Sequence, residues 1–109
     1  MGREPVGQLE HLILLVILSL GDSAYGASIF DRLVTHTNRT ILRPAVYNAL
    51  RRLEAKGLIS SEMGEPTPER GGRAKRFFRV EPVGIELLRE SRRTLLGLWE
   101  GAGAALDQA

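Results

Sequence analysis

The chain contains no cysteine. Disulfides and thiolate metal sites are therefore excluded, and a cytoplasmic location is the natural expectation. It also lacks an apolar run long enough to span a bilayer. LILLVILSL (Leu12–Leu20) has nine residues, against the roughly 20 that a membrane helix needs, so no membrane partner is expected. The run makes a poor secretory leader as well. Glu4 and Glu10 acidify the segment ahead of it, and no convincing small-residue cleavage site follows. Internal repeats and low-complexity segments are missing. So is a catalytic constellation: His11 and His36 lack metal-ligand spacing, and Ser60-Ser61 has no evident base. No catalytic residue, metal or cofactor is expected, and the chain does not read as an enzyme. Asn38-Arg39-Thr40 matches a glycosylation acceptor, which in such a chain reads as coincidence.

What is present is one domain of 109 residues, 43% apolar and 26% charged, a globular composition. So short a chain buries a limited share of its surface, and oligomerisation often supplements it. The net charge of +2 decides little, but its distribution is informative. Ten of the fifteen basic residues fall in windows 39–56 and 70–79, which hold a single acid, Glu54. Clustered positive charge on a nearly neutral chain points to a local anionic partner.

The pattern predicts helices over about 8–19, 24–36 and 43–56. Two strand-like runs follow, Leu58–Met63 and Ala74–Val80, and a long helix covers about 84–105. The first helix is apolar around nearly its whole circumference, so it needs cover on more than one side. Gly21-Asp22-Ser23 reads as a stop and restart, Pro44 suits the first turn of the third helix, and Gly57 suits its end. Pro82-Val83-Gly84 reads as a breaker. The expected fold class is mainly α with a small β-hairpin: a winged helix-turn-helix unit over 1–82 and a C-terminal dimerisation helix over 83–109, forming one compact unit.

At 100° per residue, Val46, Leu50 and Leu53 of the third helix fall on one stripe. The opposite side carries Pro44, Ala45, Asn48, Arg51, Arg52 and Ala55, with Arg43 at the start and Tyr47 on the flank. Small residues near the N-terminus permit close approach to a major groove. An amide pairs with an adenine edge, and arginine pairs with guanine or holds phosphate. A solvated face has the same composition, so the helix alone does not decide. The stretch PTPERGGRAKRFFR (66–79) adds weight. Arg70, Arg73, Lys75, Arg76 and Arg79 follow two prolines, and Gly71-Gly72 sits among them. A phosphate-binding P-loop is disfavoured, because these glycines lie between strands rather than opening a helix. A basic hairpin tip touching a polyanion fits best, with Phe78 and Val80 in the core and Phe77 half covered, where RNA stacking is a minor alternative.

VYNALRRLEAKGLISSEMGE followed by ERGGRAKRFFRVEPVG resembles the PadR family of winged helix-turn-helix transcriptional regulators, in its small, single C-terminal helix form. The points of agreement are Tyr47, Leu50, Arg52, Leu53, Glu54, Gly57, Leu58 and Ile59, then Gly71, Gly72, Arg73, Lys75 and Arg76. LEHLILLVILSLGDSAYG resembles the family's first helix and the Tyr25-Gly26 start of its second. Three positions depart: Pro44 replaces a usual glycine, Leu42 a usual serine, and Glu81 a usual threonine. The resemblance implies double-stranded operator DNA as partner, held by Arg43, Pro44, Ala45, Tyr47, Asn48, Arg51, Arg52, Arg70, Gly72, Arg73, Lys75 and Arg76. It also implies a homodimer joined through the C-terminal region, and in some members a flat aromatic effector between the subunits.

The last helix agrees with that implication. Ile85, Leu88, Arg92, Leu95, Trp99, Ala102 and Leu106 alternate spacings of three and four, a heptad seam that wants a partner. With Leu12 and Val16 of the first helix, its apolar members form the expected dimer interface. Trp99, the sole tryptophan, either packs there or, with Leu95, walls a pocket for a small aromatic effector. The expected function is a sequence-specific transcriptional regulator, a homodimeric repressor relieved by such an effector. The alternative is a winged helix serving protein–protein contacts or nonspecific nucleic-acid binding.

Overall fold

The computed structural model describes residues 6–65 and 74–109. Helix α1 (Gln8–Leu20) starts at Gly7, whose N–H donates to Glu10 Oε1 at 2.9 Å. A glutamate at the third helical position thus satisfies a donor that the helix start leaves unpaired. Gly21, at φ 58°, ends the helix, and a short 3₁₀ turn over 21–23 leads on. Helix α2 (Gly26–His36) begins at Tyr25, whose N–H donates to Ser28 Oγ at 2.9 Å. It starts two residues later than the sequence pattern indicated, because Ala24 and Tyr25 are extended and serve the sheet instead. Ala24 O accepts the Phe78 N–H at 2.8 Å, and Tyr25 bridges Phe77.

Helix α3 (Arg43–Ala55) carries Pro44 in its first turn, where a missing N–H costs nothing. Its end is a complete Schellman motif. The Leu58 N–H reaches Leu53 O and the Gly57 N–H reaches Glu54 O, each at 3.0 Å, with Gly57 at φ 76°. Strands β1 (Ile59–Met63) and β2 (Arg76–Val80) pair antiparallel, from Ile59 with Val80 to Met63 with Arg76.

Helix α4 (Pro82–Gln108) begins at the first residue of the expected breaker rather than after it. Proline is tolerated in a first turn. Gly84 faces the hairpin so closely that a Cβ there would lie 2.6 Å from both Leu58 O and Val80 Cγ1. The Glu81 N–H donates to Leu58 O at 2.9 Å, which fastens the helix start to the strand.

Ile13, Leu14 and Ile17 of α1, Ile29 and Leu33 of α2, Val46, Ala49, Leu50 and Leu53 of α3, and Ile59 of β1 form the buried centre. Phe78 and Leu88 close its hairpin and α4 sides. Beyond Ser91, α4 leaves this body. The radius of gyration is 16.1 Å and the long axis 54 Å, against the ~13 Å expected for a compact chain of this length.

Candidate nucleic-acid interface

Helix α3 is two-sided. Val46, Ala49, Leu50 and Leu53 are buried, while Pro44, Asn48, Arg51, Arg52 and Ala55 are exposed and Ala45 is half-buried. Asn48 and Arg51 lie one turn apart, and Arg51 Nη1 makes a long contact of 3.5 Å with Asn48 Oδ1. Amide and guanidinium thus share one outward patch. Tyr47 lies on the flank against α2. A Cβ on Gly26 would sit 2.6 Å from the Tyr47 hydroxyl, so the absence of a side chain at Gly26 makes room for the ring. Arg43 places its guanidinium 4.4 Å from the centre of the Phe30 ring, a cation–π contact directed toward α2.

Arg52 has a partner that its sequence position does not reveal. Its Nε donates to Glu10 Oε2 at 3.2 Å, while its side chain stays 54% exposed. Lys56 Nζ reaches both Glu10 oxygens at 3.3 Å. Glu10 itself is buried. Burial alone would raise its pKa. The Gly7 N–H, then Lys56 and Arg52, more than offset that and hold the carboxyl below its ordinary value. One carboxylate therefore ties the start of α1 to the last turns of α3. Sequence reasoning passed over Glu10 as a charge ahead of an apolar run. Its place three residues after Gly7 was the available signal of a cap. Its partners, 42 and 46 residues away, gave none.

The hairpin supplies a second cluster. Lys75 Nζ stands 4.4 Å from the centre of the Tyr25 ring, which meets Phe77 edge-to-face at 5.6 Å. Arg76 Nη1 donates to Ser61 Oγ at 3.0 Å, and that hydroxyl donates to Glu54 Oε2 at 2.9 Å. The hairpin is thereby braced to α3. Arg79 turns to its own sheet: its Nε donates to Ser60 Oγ at 3.3 Å, and Glu62 and Glu81 lie within 3.9 Å. Arg70, Gly72 and Arg73, with Pro66, Pro68 and Gly71, lie outside the described residues.

The apolar surface differs in detail from the expected seam. Leu12 and Val16 are half-buried and pack against the chain's own core. The uncovered face of α1 carries Leu15 and Leu18, 47% and 50% exposed. The shift has a simple cause: an all-apolar helix has no polar face to mark its outside, and Ile13, Leu14 and Ile17 took the core. On α4, Leu88 is buried and Ile85 half-buried, while Leu95, Leu96, Leu98, Trp99, Ala102 and Leu106 are exposed. A groove of about 520 Å³ runs between His11, Leu15 and Leu18 of α1 and Leu88, Leu95 and Leu96 of α4. A shallower hollow of about 410 Å³ lies along Leu98, Trp99 and Leu106. His11 Nε2 lies 3.1 Å from Ser91 Oγ and joins the two helices.

Among the described residues no group of three His, Asp or Glu side chains is placed to hold a metal ion. Nor is any helix among them long and apolar enough to cross a membrane.

The profile of the Transcriptional regulator PadR-like family matches residues 14–90. The chain belongs to this family. Similar folds are found among solved PadR structures. A PadR family transcription regulator from Clostridium difficile R20291 shares 25% identity with a TM-score of 0.75, over 92% of this chain and 99% of that one. A PadR family transcriptional regulator from Eggerthella lenta DSM 2243 shares 30% identity with a TM-score of 0.64, over 90% and 83%. A PadR-like transcription factor from Bacteroides fragilis, at 23% identity and a TM-score of 0.72 over 91% and 90%, agrees in fold. No curated protein matches the chain. PadR membership accounts for a helical body with a two-stranded hairpin and a long terminal helix, and it places the chain in a family of transcriptional regulators.

Proposed function

We propose that this PadR-family chain is a sequence-specific DNA-binding repressor that acts as a homodimer in the cytoplasm and is released from its operator by a small planar effector. The observation that carries the DNA-binding reading is the two-sidedness of α3. One face is sealed in the core, and the other presents Asn48 and Arg51 to solvent. An amide and a guanidinium on an outward helix are suited to adenine and guanine edges in a major groove. Lys75 and Arg76, held by Tyr25 and Ser61, lie in the adjoining hairpin, where they would follow phosphates and fix register without reading sequence. Glu10 holds Arg52 at the side of α3, which suits a backbone contact better than a base contact.

The homodimer reading rests on the bare apolar surfaces of α1 and α4. Leu95, Leu96, Leu98, Trp99 and Leu106 are each 49% or more exposed. Burying such side chains against a second copy is worth roughly 1.5–3 kcal/mol for each one fully covered. The groove between α1 and α4 and the hollow along Leu95 and Trp99 would lie beside that junction, and in the hollow Trp99 is available to stack on a flat ring. An effector bound there shifts the DNA equilibrium only by its differential affinity for the two dimer states.

A gel shift tests the reading. The probe is duplex DNA from immediately upstream of the protein's own gene, with excess random competitor, at two salt concentrations. The expected result is a competitor-resistant band whose affinity falls with salt, at a log–log slope of about 0.9 per phosphate contact. Salt-insensitive or competitor-sensitive binding would point to the protein-contact or nonspecific reading instead. Trp99 fluorescence, followed during titration with planar aromatic compounds, tests the effector. An unchanged spectrum removes it.

A further inference from the structure

Leu42 is the N-cap of α3, and its side chain is 66% exposed. It departs from the preference of that position. N-caps favour Ser, Thr, Asp or Asn, whose oxygen accepts an otherwise unpaired N–H, and leucine is among the poorest choices. No side chain caps this helix. The fold does not require it, because its neighbour Ile41 already packs against the core and supplies the apolar contact at the helix start. A residue that departs from a local preference is expected where the chain serves a function rather than its own fold.

The surroundings say what that is. Arg43 is drawn toward Phe30, so its charge leans to α2. Pro44 is exposed beside Leu42. Leu42 and Pro44 thus present exposed apolar groups at the leading tip of α3 on either side of Arg43, while the same helix carries Asn48 and Arg51 further along. The N-terminal end of a reading helix approaches base edges most closely. Among those edges the one apolar group in the major groove is the C5-methyl of thymine.

We propose that Leu42, with Pro44 beside it, contacts thymine C5-methyl groups and makes thymine the preferred base under the tip of α3. The inference rests on the DNA-binding reading above. Leu42 and Asn48 are six residues apart, about 9 Å along a helix. The preferred thymine therefore lies within about three base-pair steps of the base met by Asn48, at 3.4 Å per step.

The experiment starts with selection of tight-binding duplexes from a random library by the full-length protein. Each thymine of the selected operator is then replaced singly by deoxyuridine, which removes the methyl and keeps the pairing. Affinities are measured for the parent and for Leu42→Ser. The parent should lose about fourfold at one or two positions per half-site, the worth of one buried methyl group. Leu42→Ser should bind the thymine operator about fourfold more weakly and be indifferent to the replacement. Serine is a favoured N-cap, so the variant should melt no lower than the parent, which circular dichroism checks. Equal responses of parent and variant at every position, or none at any, would overturn the assignment of Leu42 while leaving DNA binding intact. A selection that enriches no sequence would overturn both.

Discussion

At the scale of the residue, Glu10 and Asn48 do different work, and their substitutions should separate cleanly. Removing the Glu10 carboxylate takes away the acceptor of the Gly7 N–H and an ionic partner of Arg52 and Lys56. Glu10→Ala should cost about 1–3 kcal/mol of stability, nearer the lower end because Arg52 is half-exposed and its share is screened. The pH dependence has a definite sign. A carboxyl held low by its partners stabilises the fold fully above its ordinary value, near 4.5. That stability is lost as pH falls through the lowered value. Denaturation followed over acidic pH should show this component in the parent and lose it in Glu10→Gln. At the interface, Lys75→Ala should weaken binding to operator and random DNA alike and lower the salt slope by about one contact. Asn48→Ala should relax base preference at one position, worth about 1–3 kcal/mol of discrimination. Equal losses on both DNAs for Asn48→Ala, in paired titrations, would remove its reading role. The exposed positions of Asn48 and Arg51 were legible because helical periodicity fixes faces. The Glu10 tie was not, because its partners come from far along the chain and no period encodes that.

At the scale of the element, the helices were legible in number and order because each carries its own period and punctuation. Gly57 illustrates this: a lone glycine after a run of helix formers became a Schellman C-cap. Their ends were less so. Ala24-Tyr25 read as helix, yet the hairpin needed a strand partner and took them. Pro82-Val83-Gly84 read as a break, yet it is the first turn of α4. Tertiary contact decided both cases, and the Gly84 contact yields a prediction. Its Cβ position is closed by a backbone carbonyl that cannot swing aside. Gly84→Ala should destabilise the protein by about 1–3 kcal/mol, read in chemical denaturation, although alanine is the better helix former. Stability unchanged or raised would mean that α4 docks more loosely than these distances imply.

At the scale of the whole molecule, the sequence signalled a need for cover, and the most exposed leucines of α1 are not the residues it pointed to. The exposed apolar positions of α4 at Leu95, Trp99, Ala102 and Leu106 were legible from their spacing of three and four, whereas Leu88 of the same series is buried in the chain's own core. On α1 the pattern had no contrast, and Leu15 and Leu18 rather than Leu12 and Val16 remained outside. The self-association read from these faces has its own check. Leu98→Glu combined with Trp99→Arg should give a monomer in sedimentation. The parent's melting temperature should rise with protein concentration, and the variant's should not.

The part of α4 beyond Ser91 is also a lever. Its seventeen residues to Gln108 reach about 25 Å from the body, and its fulcrum is the locked junction at Gly84 and the His11–Ser91 contact. A tilt of ~10° about that fulcrum carries the far end some ~4 Å, slightly more than the 3.4 Å rise of one base pair. Whatever grips the arm near Leu106 thus converts a small rotation at the root into a shift of base-pair size between the grip and the body that carries α3.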